Sequence, residues 1–591
     1  MWCGLVRRSR QQSMIAASSM VSGAGYTLRW PNATLPTVWA HNSRRLGDAL
    51  AVSHWADGKI THRYSWRALF DEAARVARWL RTLGVTRGQV CALLLRPDPA
   101  FYPLYMGVVL AGAIPSVVAY PNERLHPQKF RDGLQGMAAR SGLDWILTDA
   151  ELHGRFADLL DAPNIRVAFV NEAAWKSCRP LDTVDAESAS TDDTCLLQHS
   201  SGTTGLQKGV ALSHRAVLEH AHRYGNAINL TARDSVASWL PLYHDMGLIA
   251  AFHVPLAFGI PIVQLDAFAW VVRPGELLHA IAHEHATLCW LPNFAFNLIA
   301  DRVRTNEIPV NACASLRLIT SCSEPVRQSS IGRLLEKLRP FGLHATCIGA
   351  SFAMAETTFA VTQTPIGTAP LVEQVSRAKI ANGSAVIATV DEPVRACVSS
   401  GKAISGCDVR VVDGGGTRLD DGTVGSIEVR SVSLFTGYRH NEAATARVFR
   451  DGWFVTGDMG YLRQGELFVI GREKDLIIVA GKNIYPEDVE DAVGRVDGVT
   501  AGRTVAFEID DEQRGTGQIA VVVETAEQSL LELKALRGRV ARVGTDFDVP
   551  INHVFFAQPR WLIKSSSGKL SRKDNGARAL VELEDVIWKT I

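Results

Sequence analysis

The sequence lacks an excess of either charge: 62 Lys and Arg stand against 61 Asp and Glu in 591 residues. A near-neutral chain makes no global field to draw it onto nucleic acid or an anionic membrane, so no nucleic-acid partner is expected. It also lacks a long apolar run. The longest, Tyr105 to Tyr120, is broken by Gly107, Gly112 and Pro115 and falls short of a spanning helix. That run reads as core, and no integral membrane segment is expected. The ten cysteines form no CxxC pair and show no zinc-ligand spacing. A chain of this length needs no disulfide staples, so free thiols and a cytoplasmic location are expected. Arg7, Arg8 and Arg10 near the start are followed by no sustained apolar stretch, against a secretory or twin-arginine signal. Residues 1–25 read as a disordered tail, with Met14 and Met20 as alternative starts. Nothing repeats at a fixed period, and no segment is low in complexity.

What is present is core-forming material, 47% hydrophobic, in a chain long enough to divide into two or more domains. From Tyr64 to Gly84 the residues Leu69, Ala73, Val76, Ala77, Leu80 and Leu83 fall on one helical face, with Ser65 placed to cap the start and Gly84 to stop the end. A strand over 89–95, a helix over 101–111 and a strand over 114–119 follow, the βαβ rhythm of an α/β fold. From about Gly406 the pattern changes to short strands at 409–412, 426–429, 467–470 and 476–479. The glycines at 414–416 and the DDG at 420–422 read as turns, because no helix follows either. From Val489 onward helical and strand patterns alternate again, which fits a small α+β domain.

The most informative stretch is Ser200 to Gly209, SSGTTGLQKG, between the apolar Cys195 to Leu197 and GVALSH. Gly, Ser and Thr let backbone N–H and hydroxyl groups close around phosphate oxygens, and Lys208 adds a positive charge. The Gly-x4-Gly-Lys-[Ser/Thr] loop of common nucleotide triphosphatases cannot be written on these letters. Alone, such a cluster is also what a surface turn looks like.

This decapeptide resembles the signature loop of the adenylate-forming superfamily of acyl-CoA synthetases, luciferases and peptide-synthetase adenylation domains. Further motifs follow in that family's order. WLPLYHDMG at 239–247 resembles the second motif, which implies His244 at the edge of an acyl pocket. FAMAET at 352–357 resembles the third, which implies Glu356 as a Mg²⁺ ligand beside Thr357 at the nucleotide. TGD resembles the motif whose aspartate, here Asp458, holds the ribose hydroxyls. GREKD at 471–475 supplies Arg472 for ribose and phosphate and implies a hinge at Lys474. KSSSGKL at 564–570 contains Lys569, matching the catalytic lysine. Each motif alone has a bland reading: His244 as a core histidine, Glu356 as a capping carboxylate, Asp458 as a turn former, Lys569 as a solvated lysine. Their order and spacing, from roughly residue 30 to 575, make the resemblance specific.

The resemblance implies an α/β fold: a large multi-subdomain N-terminal domain over 26–471, with βαβ sheets and a small β-barrel-like region, a hinge at 472–475, and a small mobile α+β domain over 476–591. ATP and Mg²⁺ are the implied cofactors. Ser200, Ser201, Gly202, Thr203, Thr204, Gly205 and Lys208 are the implied phosphate cradle, with Thr204 and Glu356 toward the metal. Phe352 replaces the family's usual Tyr, Ala353 its usual Gly, and Gln207 its usual Pro, departures that leave a catalytically silent ligand-binding homologue as an alternative reading. Amino-acid-activating relatives carry an aspartate near the second motif to pair with the substrate ammonium; here Asp245 belongs to the motif itself and YHDMGLIAAF is followed by an apolar run, which disfavours an amino-acid substrate. The wording WLPLYHDMGL, SCSEPVR at 321–327 and an extra segment of about 35 residues between Thr362 and Cys397 resemble fatty acyl-AMP ligases. In that subfamily the insertion hinders the rotation needed to make a CoA thioester. The implied partners are a fatty acid and an acyl carrier protein in trans, since no carrier attachment site follows Lys569. CoA stays open as the acceptor, because Ile484 stands where these ligases often have His.

Overall fold

A computed structural model describes residues 32–120, 127–157, 164–182, 189–199, 208–479, 482–511, 516–547, 549–564 and 570–583. The tail expected over 1–25 lies outside these residues.

The helix predicted after Tyr64 runs over Trp66–Thr82, with the Ser65 hydroxyl accepting the Ala68 amide at 3.2 Å and Gly84 at φ +91° beyond its end. Its apolar stripe packs on the helix Phe101–Leu110, every residue of which is buried. A stripe suffices for a surface helix, whereas one enclosed on all sides must be apolar throughout. The two backbones meet at Gly107, where a Cβ would lie 2.5 Å from Val76 Cγ1 and 2.9 Å from the Ala73 carbonyl oxygen. Gly107→Val therefore overpacks this contact and is expected to destabilise the protein by about 1–3 kcal/mol or more, read as a lower melting temperature.

Two seven-stranded sheets form the α/β part. One carries, in spatial order, Ile348–Ala350, Leu318–Ser321, Leu288–Leu291, Val236–Ser238, Ile262–Leu265, Leu50–Ala56 and Lys59–Ser65, all parallel except the last pair. The other orders Gly437–Tyr438, Gly209–Ser213, Thr194–His199, Ile114–Val117, Val90–Leu94, Leu143–Thr148 and Arg166–Phe169. Its strands from Thr194–His199 onward are parallel, and Gly209–Ser213 returns antiparallel, so His199 pairs with Gly209 at the two ends of the glycine-rich segment.

Of the short strands expected after Gly406, those at 409–412, 426–429 and 467–470 assemble into a curled antiparallel sheet, ordered Thr362–Gln363, Lys402–Ala403, Glu466–Arg472, Trp453–Arg463, Gly425–Ser431 and Cys407–Val412. The one at 476–479 instead pairs with Lys482–Ile484 in a separate two-stranded ribbon that packs in the core beyond the curled sheet. The 414–416 segment is a turn, with Asp413 Oδ1 accepting the Gly415 and Thr417 amides at 2.9 Å each. Asp458 lies inside the eleven-residue strand Trp453–Arg463, a length that the sequence pattern does not reveal.

The chain from Ile477 has its own cores. Strands Thr504–Asp511 and Thr516–Glu524 pair antiparallel, and Ile551–Ala557 adds in parallel. Ile519, Val521 and Val523 bury one face against Val489, Val493, Leu536 and Val540, while Ala520 and Val522 bury the other with Phe555, Leu562 and Ala579. This period of two under helices on both faces is the expected α+β unit.

The extra segment folds as a hairpin of Val372–Ser376 and Val394–Val398 around the short helix Arg377–Ala381. Val375, Ile380, Ala385 and Cys397 share a core with Tyr461, Phe468 and Ile470 of the curled sheet and with Tyr485 beyond it. Arg395 is the crossing point: it donates to the Ile470 carbonyl at 2.8 Å, pairs with Asp488 at 3.1 Å and lies 4.7 Å over the Tyr485 ring. Arg327 reaches the helix Pro486–Val493 that carries Asp488, donating to the Glu487 carbonyl at 2.9 Å.

Candidate active site

Six of the residues singled out in the sequence are described: Lys208, His244, Glu356, Thr357, Asp458 and Arg472. Ser200, Ser201, Gly202, Thr203, Thr204, Gly205 and Lys569 lie outside the described residues.

Glu356 sits in a single turn, Ala355–Thr357, that the neighbouring hydroxyls fix. The fully buried Thr357 hydroxyl lies 3.0 Å from the Met354 carbonyl and 2.8 Å from that of Phe359, so its hydrogen serves the turn. The Thr358 hydroxyl donates to the Ser433 carbonyl at 2.7 Å, and the Glu356 carbonyl accepts the Phe435 amide at 2.8 Å. The carboxylate thus held accepts a bond, 2.8 Å, from the Tyr438 hydroxyl. Burial pushes the Glu356 carboxyl above its ordinary range; the Tyr438 bond and Arg472 oppose this, and Asp245 adds to it. A carboxylate desolvated this far gains from a nearby positive charge, which fits a hard divalent cation.

Tyr438 joins two of these residues, since Lys208 Nζ lies 4.4 Å from its ring centroid. Sequence reading missed this residue. It stands on a two-residue edge strand paired with Val210, some 230 positions away, and only the GY at 437–438, with Gly437 at φ +147°, offered a signal. Tyr438→Phe removes a donated bond to a charged acceptor, so ATP affinity in the presence of Mg²⁺ is expected to fall about 10-fold, checked by calorimetric titration.

Asp458 and Arg472 are direct cross-strand partners, with Arg472 Nε donating to Asp458 Oδ1 at 2.9 Å. Gly457 at φ +74° turns the backbone just before the aspartate, a conformation that favours glycine. Asp458 raises the pKa of the Arg472 guanidinium and holds it charged. Burial lowers that of the Lys474 amine, with Arg472 and Lys208 pushing it the same way and Asp475 and Asp458 opposing them, so cations and carboxylates are interleaved here. Basic groups gathered in one place fit an anionic ligand such as a polyphosphate.

His244 and Asp245 adjoin this group. His244 Nδ1 lies 2.6 Å from Asp245 Oδ1, which places a proton on Nδ1. The Met246 amide, 3.3 Å from Nδ1 and 2.7 Å from Asp245 Oδ1, therefore donates to the carboxylate. Gln198 Nε2 donates to the Tyr243 carbonyl at 2.8 Å and ties this loop to the strand that leads into the glycine-rich segment. Beyond it, Met246–His253 forms a π-helix, buried at every residue. Its period has no signature in an unbroken apolar run, so the sequence indicated only burial. Phe352 is 8% exposed, with its backbone held by Thr362 Oγ1 and Val361, so the ring that replaces the usual Tyr is packed.

Comparison with known proteins agrees with this geometry. The family model described as AMP-binding enzyme matches residues 39–439. A putative acyl-CoA synthetase of Caulobacter vibrioides is 29% identical over 87% of this chain and 90% of its own length. A probable long-chain-fatty-acid–AMP ligase of Mycobacterium tuberculosis, FadD30, is 26% identical over 88% of this chain and 94% of its own length. A solved structure from work on fatty acyl-adenylate ligases of E. coli and L. pneumophila superposes with a TM-score of 0.83 at 25% identity, covering 92% of this chain and 97% of that one. Among the described residues no helix is long and apolar enough to cross a membrane. The chain belongs to the AMP-binding enzymes of the adenylate-forming superfamily, and it is an ATP-dependent adenylate-forming ligase that activates a carboxylic acid.

Proposed function

We propose that the chain converts a fatty acid and ATP to acyl-AMP and pyrophosphate, then passes the acyl group to the phosphopantetheine thiol of an acyl carrier protein supplied in trans. The observation that carries this reading is the 362–397 insertion, whose Arg395 grips both the Ile470 carbonyl and the Asp488 carboxylate. A segment that ties the curled sheet to the unit beyond Ile477 opposes the rotation that CoA thioester formation needs.

Carboxylate attack on the α-phosphorus brings one anion against another, so catalysis is positioning and neutralisation. The nucleophile is ionised at neutral pH and requires no general base. Asp458 and Arg472 would hold the ribose, and Arg472 would also reach the phosphates. Lys208 and the segment Ser200 to Gly205 would cradle the polyphosphate, and Lys569 would bridge the carboxylate and the α-phosphoryl group. Glu356, with Thr204, would hold Mg²⁺, which supplies charge neutralisation at the phosphates. His244 would border the acyl group. After adenylation the unit over 476–591 would turn about the 472–475 segment, against the Arg395 tie and so less far than CoA thioester formation needs, and withdraw Lys569 from the phosphate for the carrier's thiol.

The test is mass spectrometry of the products from ATP, Mg²⁺ and a panel of fatty acids, with CoA or a phosphopantetheinylated carrier protein added. Acyl-AMP that accumulates in the presence of CoA and is consumed by the carrier is expected. Acyl-CoA formation would establish the competing reading, a CoA synthetase, which Ile484 favours.

A further inference from the structure

Two side chains outside the site control the stems of the segment that carries Lys569. Lys564 and Leu570 form an antiparallel bridge that brackets it. Asn575, fully buried in the helix Arg572–Glu582, reaches both stems: its Oδ1 accepts the Ile563 amide at 2.7 Å, and its Nδ2 donates to the carbonyls of Ile563 at 2.9 Å and Ser571 at 2.8 Å. One amide thus ties the chain on the two sides of the bridge.

Arg572 ties the second stem to the hinge. Its Nε and Nη2 form a fork on Glu490 at 2.8 Å each, and Nη1 reaches Asp475 at 2.8 Å and Glu487 at 2.9 Å. Asp475 ends the turn that starts at Glu473, directly after Arg472. A single planar cation therefore spans three carboxylates from two elements, a geometry that an ammonium cannot reproduce. Removing it would leave the buried Glu487 and the partly buried Asp475 and Glu490 without their shared cation, with Glu487 Oε2 already lacking a partner among the described residues.

We propose that Arg572, with Asn575, is a positioning residue: it fixes the stems of the 564–570 segment to the hinge, and so sets where Lys569 stands relative to the nucleotide side of the site. This inference rests on the reading of Lys569 given above. Neither side chain touches the reacting atoms, and each acts through Lys569.

The test is a double-mutant cycle on fatty-acid-dependent pyrophosphate release by the full chain, with Arg572→Met and Lys569→Ala made singly and together. Arg572→Met is expected to lower kcat about 10- to 100-fold with the KM for ATP changed less than about 3-fold, as for a displaced catalytic group. Arg572→Lys should lie between Met and wild type. In the Lys569→Ala background Arg572→Met should cost nothing further, because its effect passes through the missing lysine. Additive losses in the double variant, or a folded Arg572→Met at the wild-type rate, would overturn the proposal. If Arg572→Met does not fold, Asp475→Asn takes its place in the cycle, since it removes the hinge arm and keeps the fork on Glu490. A Lys569→Ala protein at full rate would instead overturn the reading of Lys569 itself, and the positioning role with it.

Discussion

Replacing Lys569 with alanine is expected to lower acyl-adenylate formation by about 10²- to 10³-fold, the cost of losing one preorganised donor to a developing transition-state charge. ATP binding should fall far less, because Lys208 and Arg472, the proposed phosphate-binding residues, and Asp458, the proposed ribose ligand, remain in place. The two effects separate in one protein: pyrophosphate release in single turnover reports the chemistry, and calorimetric titration with ATP reports binding. A variant that loses both in equal measure would show that Lys569 serves binding and not the chemical step.

The second large effect concerns acid stability. His214, His220 and His253 are 3%, 0% and 1% exposed, and burial lowers their pKa values to about 4, about 3 and about 3 from an ordinary 6.5. Each is built in as a neutral ring: His214 Nδ1 accepts the Leu35 amide at 3.2 Å, and His253 Nε2 meets the Tyr105 hydroxyl at 2.7 Å. Because the folded pKa lies below the unfolded one, the unfolded chain binds more protons as pH falls through 6.5. Stability is therefore complete above that pH and is lost progressively down toward pH 4 for His214 and pH 3 for His220 and His253. At pH 5 each histidine costs on the order of 2 kcal/mol, and three together rival the whole stability of a typical domain. The melting temperature should drop steeply between pH 6.5 and 5, and His220→Phe, which leaves a ring of similar size against Tyr224 and Phe359, should flatten that drop. A melting temperature unchanged across this window would contradict the burial of these rings as neutral groups.

Much of the fold was legible because it rests on local signals. Ser65, the apolar stripe from Leu69 to Leu80 and Gly84 define their helix within twenty residues. Alternation in Ile519 to Val523 shows two buried faces without knowledge of what covers them. Glu356, Asp458 and Arg472 were singled out through the order of motifs that resemble a family, not through their own surroundings, and the cross-strand register then supplied the 2.9 Å contact between the last two. Tyr438 was not legible, because its meaning depends on a pairing with Val210 and on a turn built by Thr357, Thr358 and Ser433. The partners of the insertion were hidden for the same reason: nothing near Arg395 in sequence announces Asp488 or Tyr485. The π-helix at Met246–His253 was hidden differently, since a segment buried on all sides carries no periodicity to read.

The central claim, that a carboxylate oxygen attacks the α-phosphorus of ATP, is tested most directly by supplying a fatty acid labelled with ¹⁸O in both carboxylate oxygens and following AMP by mass spectrometry. Attack by the carboxylate, followed by acyl transfer to a thiol, leaves one ¹⁸O on the phosphate of AMP. Unlabelled AMP, or ADP and inorganic phosphate as the products, would contradict it.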